Sequence, residues 1–520
     1  MDEMQRSSRN IEGKDNLLVM IQSLTVLGGG TSGLVAALTL RKSHPLLNLK
    51  LLRSSKIGII GVGEGSTEHW ARFMHHIDVD VPTIVRECGA TFKIGIKFTN
   101  WQGDGKHYFH SLTEQFAALD PLNEAPVQWM RMIAEDWDPN DTVWKRTASS
   151  LHAEPFHDSF AQYHFDTNKL NEFFTRLCVE RGIEVLDVDI EDVILDETGN
   201  VKELIDEAGT KHASDFFIDC SGFNRVISSK LGQKWIDCGH QLPMNSAIAF
   251  PTARTEDIPS YTEATALSSG WCWRIPTQDR YGNGYVFSDN FINETQAYDE
   301  VSQHYEKHLG IKDLEIGKRV KFNAGYVNEC WTKNCVSLGL SAMFVEPLEA
   351  TSIGSTIQQV NILVGSLLHY RKNNDAIAKR FNERMNLIAT NIIDFIQIHY
   401  LTKRNDSEFW RWCDKGVELT PFNKETLDSF KTAFPNSGHF VDPSLMFSYL
   451  NWTQVMHGLH LFDYDACKKF WETNFAERHN ESLTNLMKKE LADWPDEKIY
   501  THREALNILR ERYLEVSHEL

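Results

Sequence analysis

The sequence predicts an α/β fold: a Rossmann-like box interrupted by large insertions, followed by a mainly helical C-terminal part. Three observations carry this reading. A glycine-rich turn, Gly28-Gly29-Gly30-Thr31-Ser32-Gly33, follows the apolar run Leu24-Thr25-Val26-Leu27 and opens an apolar helical stretch. Two further strand-then-glycine units, 215–222 and 334–339, lie far downstream, so one sheet is assembled from distant segments. Beyond Asp414 no such unit recurs, and Trp452, Trp471 and Trp494 are spread through helical sequence.

Taken in order, residues 1–20 are expected to form a flexible tail: their polar start lacks the apolar stretch and cleavage site of a signal peptide. Residues 21–414 make up the box, and 415–520 the helical part. The 24–27 run reads as a buried parallel strand. The helix after it ends at His44-Pro45, and 49–52 supplies the next strand of a βαβ unit. In Gly28-x-Gly30-x-x-Gly33, the first glycine permits the tight turn. The second lets a pyrophosphate approach the backbone, and the third packs helix on strand. The acid expected about 20 residues on is absent. Arg53 ends the second strand instead, which points to a 2′-phosphate or a different adenosine contact.

Composition narrows the function. Aromatic residues make up 11% of the 520, ample material for a folded core. Fifty-three basic against 72 acidic residues leave a net charge of −19, which argues against nucleic acid or an anionic membrane as partner. No run approaches the ~20 apolar residues of a spanning helix. Nine cysteines without a CxxC pair read as reduced thiols of a cytoplasmic protein, and no metal site is expected.

Three stretches carry candidate chemistry. In Trp271-Cys272-Trp273-Arg274-Ile275-Pro276, a strand would point both indoles to one face; aromatic packing alone also accounts for them. Residues 91–98, Thr-Phe-Lys-Ile-Gly-Ile-Lys-Phe, alternate strictly and predict one strand with Lys93 and Lys97 on the same face. At ~3.3 Å per residue the two would stand about 13 Å apart, too far to serve one atom equally. Phe344-Val345-Glu346-Pro347-Leu348-Glu349-Ala350-Thr351 leads into a helix over 353–370, where a carboxylate also suits the helix start.

Together these motifs resemble the flavin-dependent halogenases of the tryptophan-halogenase family, in the family's order from about Leu24 to Trp412. The resemblance rests on the GGGTSG turn, Gly61-Val62-Gly63-Glu64, the 90–101 strand, His164-Phe165-Asp166 and Asp219-Cys220-Ser221-Gly222-Phe223. GWCWRIP, Gly282–Val286, FVEPLEAT and Phe409-Trp410-Arg411 complete it. It implies FAD, delivered as FADH2 by a separate flavin reductase, together with oxygen, a halide ion and a small aromatic substrate. Reduced flavin, oxygen and halide give hypohalous acid, which travels through a tunnel to the substrate. Lys93 directs it, by hydrogen bonding or as a haloamine, and Glu349 positions it and takes the ring proton. FAD is expected at Gly28, Gly30, Thr31, Ser32, Gly33, Arg53, Gly63, Glu64, Asp219, Gly222, Gly339, Ser352 and Ile353. Halide is expected at Thr351 and Ser352, and substrate near His110, Leu112, Trp271, Trp273, Pro347 and Trp452.

Departures from the family pattern shape the remaining expectations. Leu112 replaces an aromatic ring that sandwiches indole in tryptophan-specific members, so broad use of indole- or phenol-like arenes is expected. Ala350 replaces a serine and Ser352 a glycine, so Ser352 should reshape the halide turn and favour bromide or iodide over chloride. The rival readings are a single-component flavin monooxygenase, which needs its own NAD(P)H site, and a non-catalytic flavoprotein. Homo-oligomerisation is left open.

Overall fold

The computed structural model describes residues 21–59, 64–111, 162–370, 375–440, 442, 444–474 and 500–519, with side chains to residue 511 in the last segment. The predicted tail, Gly63 and Leu112 lie outside the described residues.

The box is built on a six-stranded sheet in the order Trp331–Thr332, Cys335–Ser337, Phe216–Asp219, Ser23–Leu27, Asn48–Arg53, Glu184–Asp187. All neighbours are parallel except the first pair. The three predicted strand–glycine units are thus adjacent central strands, and their glycine ends gather at one edge. Burial on both faces explains their apolar runs: Leu24, Val26, Phe216, Phe217 and Ile218 are all fully buried. Helix Thr31–Ser43 crosses from the first strand to the second and packs against helices Thr167–Glu180 and Thr351–Leu367.

A second, seven-stranded sheet runs Lys318–Lys321, Ser246–Ala253, Arg280–Phe287, Gly270–Pro276, Thr262–Ala266, Gly95–Thr99, His107–Ser111. The GWCWRIP stretch lies near its centre. Trp271 and Trp273 face one core with ring centroids 6.3 Å apart, and Cys272 faces another. Trp273 pairs with Gly284, and a Cβ there would lie 2.1 Å from the indole, so the glycine makes room for the ring.

One expectation is corrected. Residues 91–98 are two strands in two sheets. Thr91–Lys93 pairs with Gln162–Phe165, which also pairs with Glu64–Gly65, whereas Gly95–Thr99 joins the seven-stranded sheet. The break falls at Ile94, and Gly95 opens the second strand with φ +152°, where a Cβ would lie 2.3 Å from the His110 carbonyl oxygen. Alternation continued through the break, so periodicity alone did not reveal it.

Among the described residues no strand follows Met343–Phe344; the remaining elements are helical. Helix His502–Glu519 returns to the box and packs on helix Val81–Glu87. There His502 Nε2 accepts the Phe92 N–H at 2.9 Å, and its Nδ1 faces the Ile258 carbonyl at 3.1 Å. All nine cysteines are buried and unpaired. No helix among the described residues is long and apolar enough to cross a membrane, and no acidic, His or Cys cluster there suits a metal ion.

Candidate active site

The glycine turn forms a cradle with one open side. A Cβ on Gly28 would meet the Cys220 carbonyl at 2.2 Å, and one on Gly33 would meet the Gly28 carbonyl at 1.9 Å. Gly30 has nothing within 4 Å of that position and caps helix Thr31–Ser43 without a side-chain hydrogen bond. Free N–H groups at a helix start beside open space suit a pyrophosphate, so these residues fit a dinucleotide such as FAD. Arg53 borders the turn, its Cβ filling the space that a side chain on Gly29 would need. Thr31 and Ser32 also hold neighbouring elements, through Asn171 (3.3 Å) and Thr356 (3.2 Å).

Asp219 spends its oxygens on protein, accepting from Ser221, Ile227, Ser228 and Ser341. It shapes the 219–228 turn, in which Gly222 takes φ +68° over open space. Gly339, at φ +59°, lies so close to Ser32 that a Cβ would clash with its hydroxyl at 2.1 Å. Glu64 pairs through its backbone with Phe165.

Lys93 and Glu349 meet at a cavity of about 30 Å³, which is also lined by Glu68, His110, Phe447 and Asn451. Lys93 is 2% exposed and donates to the Ser66 carbonyl at 2.7 Å. Ser66 is itself fixed to the backbone of Tyr163 by three hydrogen bonds. Burial lowers the Lys93 ammonium to about 8, against the pull of Glu349 and Glu68. Lys97, beyond the strand break, is half-buried near Glu263 at 3.9 Å and over the Tyr261 ring. It does not line this cavity.

Glu349 accepts from His110 Nδ1 at 2.9 and 3.0 Å and from His399 Nε2 at 2.9 Å. Burial would raise its carboxyl, but the hydrogen bonds from the two histidines and the positive charge beside it outweigh that and hold it below the usual carboxylate range. Glu346 is driven the other way. Burial pushes it up to about 8, although Tyr400 donates to both its oxygens at 2.6 and 2.8 Å and Trp271 also opposes the rise. Exposed Pro347 stands between the two buried acids.

Ala350 turns the chain into helix Thr351–Leu367 with φ +54°, and no side chain caps that helix. The unusual dihedral therefore falls at Ala350. Ser352, expected to reshape the turn, is an ordinary first-turn residue whose carbonyl accepts from Ser355 and Thr356. Thr351 and Ile353 are buried beside it. Trp452 is fully buried, ringed by Phe395, Phe422, Phe430 and Phe440 at centroid distances of 5.4–6.0 Å. Its neighbour Asn451 reaches the cavity instead and contacts His110 Nε2 at 3.1 Å. Sequence reasoning missed His399, Asn451, Ser66 and Tyr400; no motif marks any of them.

The sequence model of the tryptophan halogenase family matches residues 23–468. The chain belongs to this family. As a member it is a flavin-dependent halogenase, an enzyme of the oxidoreductase type. It is 30% identical over 453 residues to tryptophan 7-halogenase KtzQ of Kutzneria sp. (strain 744), covering 80% of this chain and 82% of that protein. To tryptophan 7-halogenase RebH of Lentzea aerocolonigenes it is 28% identical over 445 residues, covering 79% and 82%. Its fold superposes on the flavin-dependent halogenase BrvH of Brevundimonas sp. BAL3 with a TM-score of 0.76 at 26% identity, covering 94% of this chain and 99% of that one. A tryptophan halogenase of Shewanella frigidimarina NCIMB 400 shares the fold with a TM-score of 0.82 at 23% identity, covering 95% and 98%.

Proposed function

We propose that this halogenase places a halogen on a free aromatic compound of the indole or phenol class, by electrophilic substitution directed by Lys93 and completed by Glu349. The observation that carries the reading is the meeting of a buried ammonium and a buried carboxylate at one small cavity. Reduced flavin held at the glycine turn and replenished by a separate reductase would supply the hypohalous acid, from oxygen and halide. Hypohalous acid attacks indiscriminately, so it needs a fixed donor to aim it. Lys93 meets that need: its strand pairs with Gln162–Phe165, and its Nζ is anchored on Ser66. Glu349 removes the ring proton. A carboxylate held at low pKa is a weak base, but a halogenated ring cation is a very strong acid, so proton transfer is downhill.

Substrate breadth is inferred from the sequence alone, in which Leu112 stands where tryptophan-specific members carry the ring that sandwiches indole. Halide is assigned to the start of helix Thr351–Leu367, where no side chain caps the backbone N–H groups and the helix dipole favours an anion. Incubation with a flavin reductase, NADH, each halide and a panel of arenes tests the reading by the isotope patterns of the products. Halogenated indoles or phenols are expected. NADPH oxidation without any reductase, giving hydroxylated product, would favour a single-component monooxygenase.

A further inference from the structure

The two histidines on Glu349 differ in what their other nitrogens face. Asn451 accepts the Ser448 N–H on its Oδ1 at 2.8 Å, as part of the cap of helix Tyr449–Gly458, so its amide N–H₂ points at His110. That amide donates to His110 Nε2 at 3.1 Å. The single His110 proton therefore sits on Nδ1, and His110 is a neutral donor to Glu349. His399 is arranged otherwise. Its Nδ1 lies 3.0 Å from the Phe395 carbonyl, which only accepts, and its Nε2 lies 2.9 Å from Glu349 Oε1. Both ring nitrogens face acceptors, so both carry protons unless Glu349 holds one itself. The ring is wholly buried against Phe98, Trp101 and Phe395, at centroid distances of 5.1, 6.1 and 5.2 Å. A cation in such a shell needs a charged partner, and Glu349 is the one it touches.

Oxygen occupancy follows from the same contacts. Oε1 receives both histidines, whereas Oε2 receives only His110 and keeps a lone pair. We propose that His399 is a positioning residue: as an imidazolium anchored on the Phe395 carbonyl, it keeps Glu349 a carboxylate and ties down Oε1, leaving Oε2 to take the ring proton. In that step the C–H bond of the halogenated ring cation breaks. Its electron pair returns to the ring, and the proton passes to Oε2. The proposal rests on the reading of Glu349 as proton acceptor. The other titratable groups that act on or feel the Glu349 charge are Lys93, Tyr108 and His110. Tyr400, beside His399 in sequence, faces Glu346 instead.

The test has two independent readouts on the full chain. The first is the ¹⁵N spectrum of histidine-labelled enzyme, with the His399 signal assigned by its loss in His399→Gln, or in His399→Asn should the first variant fail to fold. Two protonated ring nitrogens are expected in the working buffer; a neutral ring with one N–H overturns the proposal. The second is the pH dependence of kcat. His399→Gln keeps a donor toward Glu349 without the charge. Its acid limb should move up by more than about one pH unit, with KM for the arene within about twofold of wild type. A superimposable pH profile overturns the proposal. An imidazolium at His399 together with full activity in Glu349→Gln would instead remove Glu349 as the base and leave the charge pair standing.

Discussion

Glu346 and Glu349 are both buried on one short turn, yet their surroundings push them toward opposite charge states. Glu349 meets two histidines and stays ionised; Glu346 meets Tyr400 and Trp271 and keeps its proton up to about pH 8. Glu349→Gln should lower halogenation by about 10²-fold or more while leaving the fold intact, as loss of a positioned base does. Glu346→Gln should act mainly on stability. Between about pH 4.5 and 8 folded Glu346 holds a proton that the unfolded chain releases, so its contribution falls as pH rises through that window. Thermal melts at pH 5 and pH 8 check this. The variant should gain on wild type at the higher pH, and Asp394, raised to about 7 by burial, leaves part of the slope in both.

Lys93→Ala should abolish halogenation, a loss of about 10²–10⁴-fold, while flavin reoxidation continues. Lys97→Ala is the control and should cost little, since Lys97 does not line the cavity. If the ammonium form is the one that aims the oxidant, the rate should fall as pH rises through about 8, where buried Lys93 loses its proton. Product yield against pH separates this from a haloamine route, which needs the neutral amine and would rise through the same range.

Gly95→Ala should destabilise by about 1–3 kcal/mol, because it adds a side chain at positive φ against a backbone carbonyl. Denaturant melts give the loss. Activity per folded molecule should fall as well, since Gly95 borders the Lys93 cavity.

Ala350→Gly should stabilise by about 1 kcal/mol by relieving the left-handed turn. Competition at equal halide concentrations should give brominated product in excess over chlorinated product. Bromide gives up its hydration more readily and tolerates an uncapped, less closely fitted helix start. Predominantly chlorinated product would show that the turn already grips the smaller ion.

The box was legible because its signals are local. A glycine turn needs its glycines in order, and a strand buried on both faces has a continuous apolar run. The active pair was legible only through the resemblance: a buried Lys93 and an exposed one have the same neighbours in sequence. The break before Gly95 was hidden because alternation survived it, and only the approach of His110 reveals why a glycine stands there. His399 caps the end of helix Ala376–Ile398 and Asn451 lies in helix Tyr449–Gly458, both in sequence that reads as ordinary packing. Their function comes from what lies across the cavity, which no spacing encodes.

The nine cysteines, all buried, make the chain its own unfolding clock. Burial pushes the thiols of Cys220, Cys272 and Cys335 far up and holds Cys178, Cys330 and Cys467 near 12, so almost no thiolate is present at neutral pH. An alkylating reagent must therefore wait for the protein to open. Cysteines on the central sheet should be modified together, at the rate of global unfolding, and Cys467, near the end of the described helical part, should be modified earlier if that part opens first.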